Sequence, residues 1–221
     1  TRYSVSAKHL REPGPSDEAI WAMAMAALRA PDHEKRIPFR FVVARGEGLE
    51  RLAALFVDYG RRHGKEGPDL EREREKAMQA PVVIAVIARI NPGDEVVPVH
   101  EQWTTVGGAI ANAVNALHFM GFGAKMVAGA RAGDPQIVAA HCRAGKTLVG
   151  WIAAGTMDGP PKARGEIDPG GILEVPGGIA HRAATAPRGV RRRGSPWPAR
   201  RSCRTPRCRA PRGPRATPRH A

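Results

Sequence analysis

Apolar positions along the chain change period several times, and each change marks an element. Ile20, Met23, Ala24, Ala27 and Leu28 recur at helical spacing after Ser16-Asp-Glu-Ala, where the serine is an N-cap and the acids fill the first turn. Trp21 and Met25 fall off that stripe, which predicts a helix buried on two sides. Pro31 stops it. Phe39 to Ala44 reads as a strand, broken by Gly46-Glu-Gly. A helix carrying Leu49, Leu52, Phe56 and Tyr59 follows. Asp69 to Gln79 is a helix of alternating charge with few apolar anchors, expected to be a solvated face.

Pro81 opens the clearest strand, VVIAVIA, apolar on both faces and so central in a covered sheet. Asn91-Pro-Gly-Asp is a turn. The longest helix runs from about Val99 to Met120 with a stripe of Trp103, Val106, Ile110, Val114 and Leu117. Gly107, Gly108 and Ala109 keep its middle thin, which permits close approach of a partner backbone or a flat ligand. Strands near Ala124 to Ala128 and Thr147 to Ala154, with a short helix between them at Asp134 to Cys142, complete an α+β sheet with helices packed on it.

Composition changes the picture at one end only. The chain has 221 residues and a formal net charge of +14. That balance suggests a nucleic-acid binder until it is located. Residues 181 to 221 hold thirteen Arg and no Lys, Asp or Glu. Removing them leaves 22 Lys and Arg against 21 Asp and Glu, a net +1, so the body names no partner by charge. The segment lacks the apolar residues needed to offset its ordering entropy, and disorder is expected. Two readings fit it. One is a cationic arm for salt-sensitive, sequence-independent nucleic-acid binding. The other is the product of a GC-rich gene read in a shifted frame, which the all-Arg usage with Pro and Ala favours.

Cys142, Cys203 and Cys208 make neither a disulfide framework nor a zinc site. Cys142 reads as a small buried apolar residue. No apolar run is long enough for a membrane span, no secretory signal is visible, and a cytoplasmic protein is expected. The chain starts at Thr1 rather than Met, so its true start is expected to lie upstream. His100-Glu101 is not a metalloprotease motif, because Thr104 stands where the second His would be. No P-loop is present. Gly121-Phe-Gly123 does not extend to a dinucleotide fingerprint, because Met126 takes the third glycine's place. His141 and Cys142 are neighbours on a helix and point in different directions.

Several weak signals do occur in one order: RAPDHEKRIPFRFVV from Arg29 to Val43, then APVVIAVIA, HEQWTTVGGAIANAVNALHFMGFGAK and LVGWIAAGT between Ala80 and Thr156. Together they resemble the flavin-dependent nitroreductase family, in its compact branch, over roughly residues 2 to 165. The resemblance implies an antiparallel or mixed sheet with packed helices over residues 1–180. It implies FMN held between the subunits of a homodimer, and NAD(P)H as co-substrate. The electrons would pass to a small acceptor such as a nitroaromatic or quinone, and the flavin itself would carry the hydride.

Arg2-Tyr3-Ser4 resembles the family's Arg-x-Ser phosphate motif, with Arg suited to a bidentate contact and Ser adding a donor. Without the resemblance, Arg2 reads as a solvated terminal charge. The positions of Arg29 and His33 are those where this helix end meets the flavin in the family. From the residues alone they are a helix C-terminal charge and a loop histidine. Met126, Val127 and Ala128 stand where relatives touch the flavin with an aromatic and polar residues, so only backbone contacts carry over. Ala116 to Gly121 falls at the family's nicotinamide contacts, with core packing as the alternative. Lys162 and Arg164 stand where relatives bring a cation back to the phosphate, or else belong to a charged loop. The resemblance also implies a short helix ahead of Arg2 and a C-terminal segment in place of the Arg-rich one; these two departures leave an inactive relative, folded but poor at binding flavin, as an alternative to the enzyme. It assigns no catalytic side chain and no metal ligand.

Overall fold

The all-apolar run predicted to be central is the middle of the sheet. In the computed structural model, which describes residues 2–160 and 168–173, every residue of Val82–Ala88 (β3) is buried. β3 pairs antiparallel with Phe39–Ala44 (β2) on one side, from Phe39↔Ala88 to Ala44↔Val83. On the other side it pairs with Thr147–Met157 (β5), from Val82↔Ala154 to Ala88↔Thr147. Gly123–Val127 (β4) pairs with β5 from Gly123↔Gly155 to Val127↔Trp151, and the two-residue Leu10–Arg11 (β1) joins its far end at Leu10↔Met157. All the described pairings are antiparallel. The register slips between Val86 and Ile87, leaving Val149 as an extra residue beside Gly150. Gly150 has φ of 146°, which L side chains rarely adopt, so this bulge needs glycine.

Alternation along β3 separates two cores. Val82, Ile84, Val86 and Ala88 pack with Met23 and Ala27 of Asp17–Ala27 (α1) and with Val106, Ala113 and Leu117 of Val99–Phe119 (α4). Val83, Ala85 and Ile87 pack with Leu49, Leu52 and Phe56 of Glu47–Arg62 (α2), Ala77 of Pro68–Met78 (α3) and Ile137 of Pro135–His141 (α5). The sheet is therefore covered on both faces, which is why β3 is apolar throughout.

Local chemistry accounts for the helix ends. Ser16 Oγ accepts from the Ala19 N–H at 3.3 Å, and Asp134 accepts from the Gln136 and Ile137 N–H groups. Gly121, at φ of 93°, follows the end of α4.

Three expectations are corrected. Trp21, Met25 and Leu28 are exposed, Trp21 at 73%, so α1 is buried on one side of a single chain. On α4, Val106, Val114 and Leu117 of the predicted stripe are buried, but its first member is not, and the buried face widens toward small and polar residues. Gln102, Thr105, Ala109 and Ala113 face inward, and Trp103 is exposed. Small side chains at 109 and 113 let the helix approach its neighbours closely, and that contact outweighs burial of the larger Trp103. Finally, α3 is not wholly solvated: Glu73 and Ala77 are buried. Cys142 is buried as expected, and burial pushes its thiol pKa up.

Residues 1–166 form one compact unit and 167–221 a second. In the second, the described part is a 3-10 turn at Pro169–Ile172, capped by Asp168. The boundary expected near residue 181 and the Arg-rich segment lie outside the described residues. No helix among the described residues is long and apolar enough to cross a membrane.

Candidate functional site

The N-terminal candidates lie beside the start of β4. The Val5 N–H donates to the Ala124 carbonyl at 3.2 Å, which ties Arg2-Tyr3-Ser4 to that strand. Tyr3 packs on the α2-side core, Arg2 is half-buried and Ser4 is exposed. Among the described residues neither Arg2 nor Arg29 is in an ion pair.

The second group is built where α1 ends on α4. Arg29 N–H donates to Ala26 at 3.0 Å and stays exposed, while Ala30 is buried. A Cβ at Gly108 would meet Ala30 Cβ at 3.2 Å, so the thin middle of α4 seats a neighbouring stretch of chain. Thr105 Oγ1 donates to the Pro31 carbonyl at 2.7 Å and secures the same turn. His33 Nδ1 lies 2.8 Å from Glu101 Oε2, bridging this loop to α4. Asp32 accepts from the Ile37 N–H at 2.8 Å. Gly107 faces open space.

Within β4, Met126 packs on the α1/α4 side. Val127 and Ala128 border a cavity of about 140 Å³ on the other side. That cavity is not lined by Arg2, Tyr3, Ser4, Arg29 or His33. The candidates thus form separate groups. Tyr3 belongs to one face of the sheet and Ala30 to the other. In the 116–121 stretch Leu117 is buried, whereas Phe119 is 86% exposed and Met120 is also exposed. Lys162 and Arg164 lie outside the described residues.

The sequence reading missed one charged cluster entirely. Glu73, fully buried, accepts from Lys65 at 2.5 Å, Lys76 at 2.7 Å and Arg131 Nε at 2.8 Å. Arg131 lies 5.2 Å from the Phe56 ring centre and 5.4 Å from that of Tyr59. The available signal was the spacing of Leu70, Glu73 and Ala77, which sets the carboxylate on the inward face of α3.

The nitroreductase family model matches residues 1–156. The chain belongs to the nitroreductase family. Two curated relatives agree. It is 32% identical to "Putative NAD(P)H nitroreductase YdjA" of Escherichia coli K12 over 152 residues, covering 68% of this chain and 82% of the relative. It is 31% identical to "Putative NAD(P)H nitroreductase" of Haemophilus influenzae, again over 152 residues, covering 68% of this chain and 83% of that relative. Among solved structures, a nitroreductase-like family protein from Bacillus cereus aligns with a TM-score of 0.66 at 18% identity, over 80% of this chain and 92% of that one. A BluB-like flavoprotein from Clostridium difficile aligns at 0.60 and 17% identity, over 79% and 94%. These two structures support the nitroreductase fold.

An FMN bound by this nitroreductase would need a cation and hydroxyl at its phosphate and a flat slot for its ring. Arg2, which has no carboxylate partner among the described residues, and the nearby Ser4 are of the type that suits the phosphate. The 140 Å³ cavity is below the roughly 300–1,000 Å³ typical of cofactor sites. The donor set fits one end of the group, and the ring needs further walls.

Proposed function

We propose that this nitroreductase is a cytoplasmic oxidoreductase that binds FMN between two copies of itself and passes electrons from NAD(P)H to a small nitroaromatic or quinone-like acceptor. The observation that carries it is the family match over residues 1–156, which spans Arg2–Ser4, Arg29–His33 and Met126–Ala128 in order. Bound FMN supplies the hydride chemistry. The chain supplies binding and orientation. Arg2 and Ser4 hold the phosphate. Arg29 and His33 meet the flavin from the loop after α1, with His33 steadied by Glu101. Backbone groups of Met126, Val127 and Ala128 form a further edge.

Two copies are part of the proposal because the groups of one chain lie over opposite faces of its sheet. Tyr3 packs with the α2-side core and Ala30 with the α4-side core. A second copy brings its own Arg29 loop to the first copy's phosphate group. The surface for that contact is the apolar stripe Trp21, Met25 and Leu28 at i, i+4 and i+7 on α1, with Val99 and Trp103 on α4.

Purified protein should show the visible absorbance bands of oxidised flavin, or gain them on addition of FMN. A protein that stays colourless with added FMN overturns the reading. Arg2→Ala should weaken FMN binding by about 1.5–3 kcal/mol, the scale of a hydrogen bond to a charged group. Folding should be nearly unchanged, because Arg2 is only half-buried and belongs to neither core. Fluorescence titration of FMN into both proteins checks this, and equal affinities would remove Arg2 from the site.

A further inference from the structure

The loop from Asp32 to Ile37, which carries His33 between α1 and β2, runs through a backbone form that its residues disfavour. Glu34, Lys35 and Ile37 have φ of 57°, 52° and 47°, the left-handed region that suits glycine. The clash is worst for the β-branched Ile37, whose side chain is exposed, so core packing does not hold it there. Polar contacts hold it instead. The Asp32 carboxylate accepts from the Ile37 N–H at 2.8 Å, and Arg89 Nη2 donates to the Ile37 carbonyl at 2.7 Å. Arg36 meets Asp94 through two nitrogens, Nε at 3.0 Å from Oδ2 and Nη2 at 3.3 Å from Oδ1. The Asp94 side chain is only 11% exposed, and its Oδ1 accepts from the Val96 and Val97 N–H groups, each at 3.0 Å. Buried Gln102 fixes that turn to α4. It accepts from the Asn91 N–H at 2.7 Å and donates to the Asn91 and Val97 carbonyls at 2.9 and 2.8 Å. A braced turn thus grips a loop whose own backbone favours relaxing.

We propose that Asp94 is a positioning residue: through Arg36 it clamps the 32–37 loop in the strained form that sets His33 and, just ahead of it, Arg29. The consequence for flavin rests on the function proposed above, whereas the clamp itself does not. A ligand whose competent form is only fractionally populated loses apparent affinity by that fraction. Without the clamp, backbone strain empties the competent form. Asp94→Asn separates the clamp from the turn. The Val96 and Val97 N–H groups both bond Oδ1, which asparagine keeps, while the new amide nitrogen cannot accept from Arg36 Nε.

Full-length protein without FMN is treated with trypsin, and release of the fragment ending at Lys35 is timed by mass spectrometry. Asp94→Asn should speed that cut about tenfold, because cleavage follows the population of the open loop. The same variant should bind FMN about tenfold more weakly in a fluorescence titration. Arg36→Gln should match it in both measurements, and Arg36→Lys, which keeps the charge, should recover part of each loss. Combining Arg36→Gln with Asp94→Asn should do no more than either change alone, since both break one contact. Arg36 is exposed, so Arg36→Gln makes the test should Asp94→Asn fail to fold. An unchanged cut at Lys35, or additive effects in the double variant, overturns the proposal. So does FMN affinity that Asp94→Asn leaves unchanged or raises. If Arg36→Gln weakens FMN in that case, Arg36 touches the flavin itself. Wild type that ignores FMN overturns the flavin reading, and the clamp then stands or falls on the trypsin cut alone.

Discussion

Glu73→Gln should destabilise the folded protein by about 3–5 kcal/mol, the range for removing one partner of a buried ion pair. Among the described residues Glu73 is the only carboxylate bound to Lys65, Lys76 and Arg131, and it is fully buried. Its loss leaves three cations facing one another with no counter-charge. The side chains of Lys65 and Lys76 are 35% and 43% exposed, so water screens part of the repulsion and the lower end of the range is expected.

The same cluster sets an acid dependence. Burial by itself raises the Glu73 pKa, but hydrogen bonds from Lys65, Lys76 and Arg131 override it and bring the carboxyl from 4.5 down to about 2. The unfolded chain therefore takes up this proton at higher pH than the folded one. The stabilisation is complete above about pH 4.5 and is lost as pH falls toward 2, amounting to about 3 kcal/mol. Urea unfolding of wild type and Glu73→Gln at neutral and acid pH measures both effects. A variant within about 0.5 kcal/mol of wild type at neutral pH would show that the cluster is a spectator.

Trp21→Glu combined with Trp103→Glu should convert the proposed homodimer to monomers and abolish FMN binding. Both indoles are exposed on a single chain, on the helices that carry the apolar stripe. Large aromatic anchors of this kind dominate interfaces, and truncating one typically costs 2 kcal/mol or more, about thirtyfold in affinity. A carboxylate in its place adds the penalty of burying an unpaired charge. The folded monomer should keep its stability, because neither residue belongs to either core. Sedimentation and FMN titration on the double variant decide the matter. A dimer that survives would move the interface elsewhere, and a monomer that still binds FMN would confine the site to one chain.

Much of the architecture is local, and local patterns showed it. VVIAVIA reads as a strand covered on both faces, and β3 is buried along its whole length. Ser16 and Asp134 are helix caps whose side chains bond the N–H groups two or three residues on, so the helix starts were readable from residue type and spacing. The candidate residues were found in the same way, by position in an ordered series rather than by any contact. β1 was not legible, because two residues carry no period and pair only where β5 extends past its predicted end.

The chain by itself determined the element types, their order and the family. Tertiary packing decided which surface of each element is enclosed. Of the α4 stripe, Val106, Val114 and Leu117 are buried as read, whereas Trp103 stays exposed and Ala109 and Ala113 join the buried face, because small residues allow close approach. Alternating charge predicted a solvated α3, yet its Glu73 lies under the helix between three cations, two of them from elsewhere in the chain. The sheet places the Tyr3 and Ala30 groups on opposite faces, a relation with no counterpart in linear spacing. A periodic pattern measures how much apolar surface an element carries. The partner it meets decides which side is covered and which polar group goes in with it.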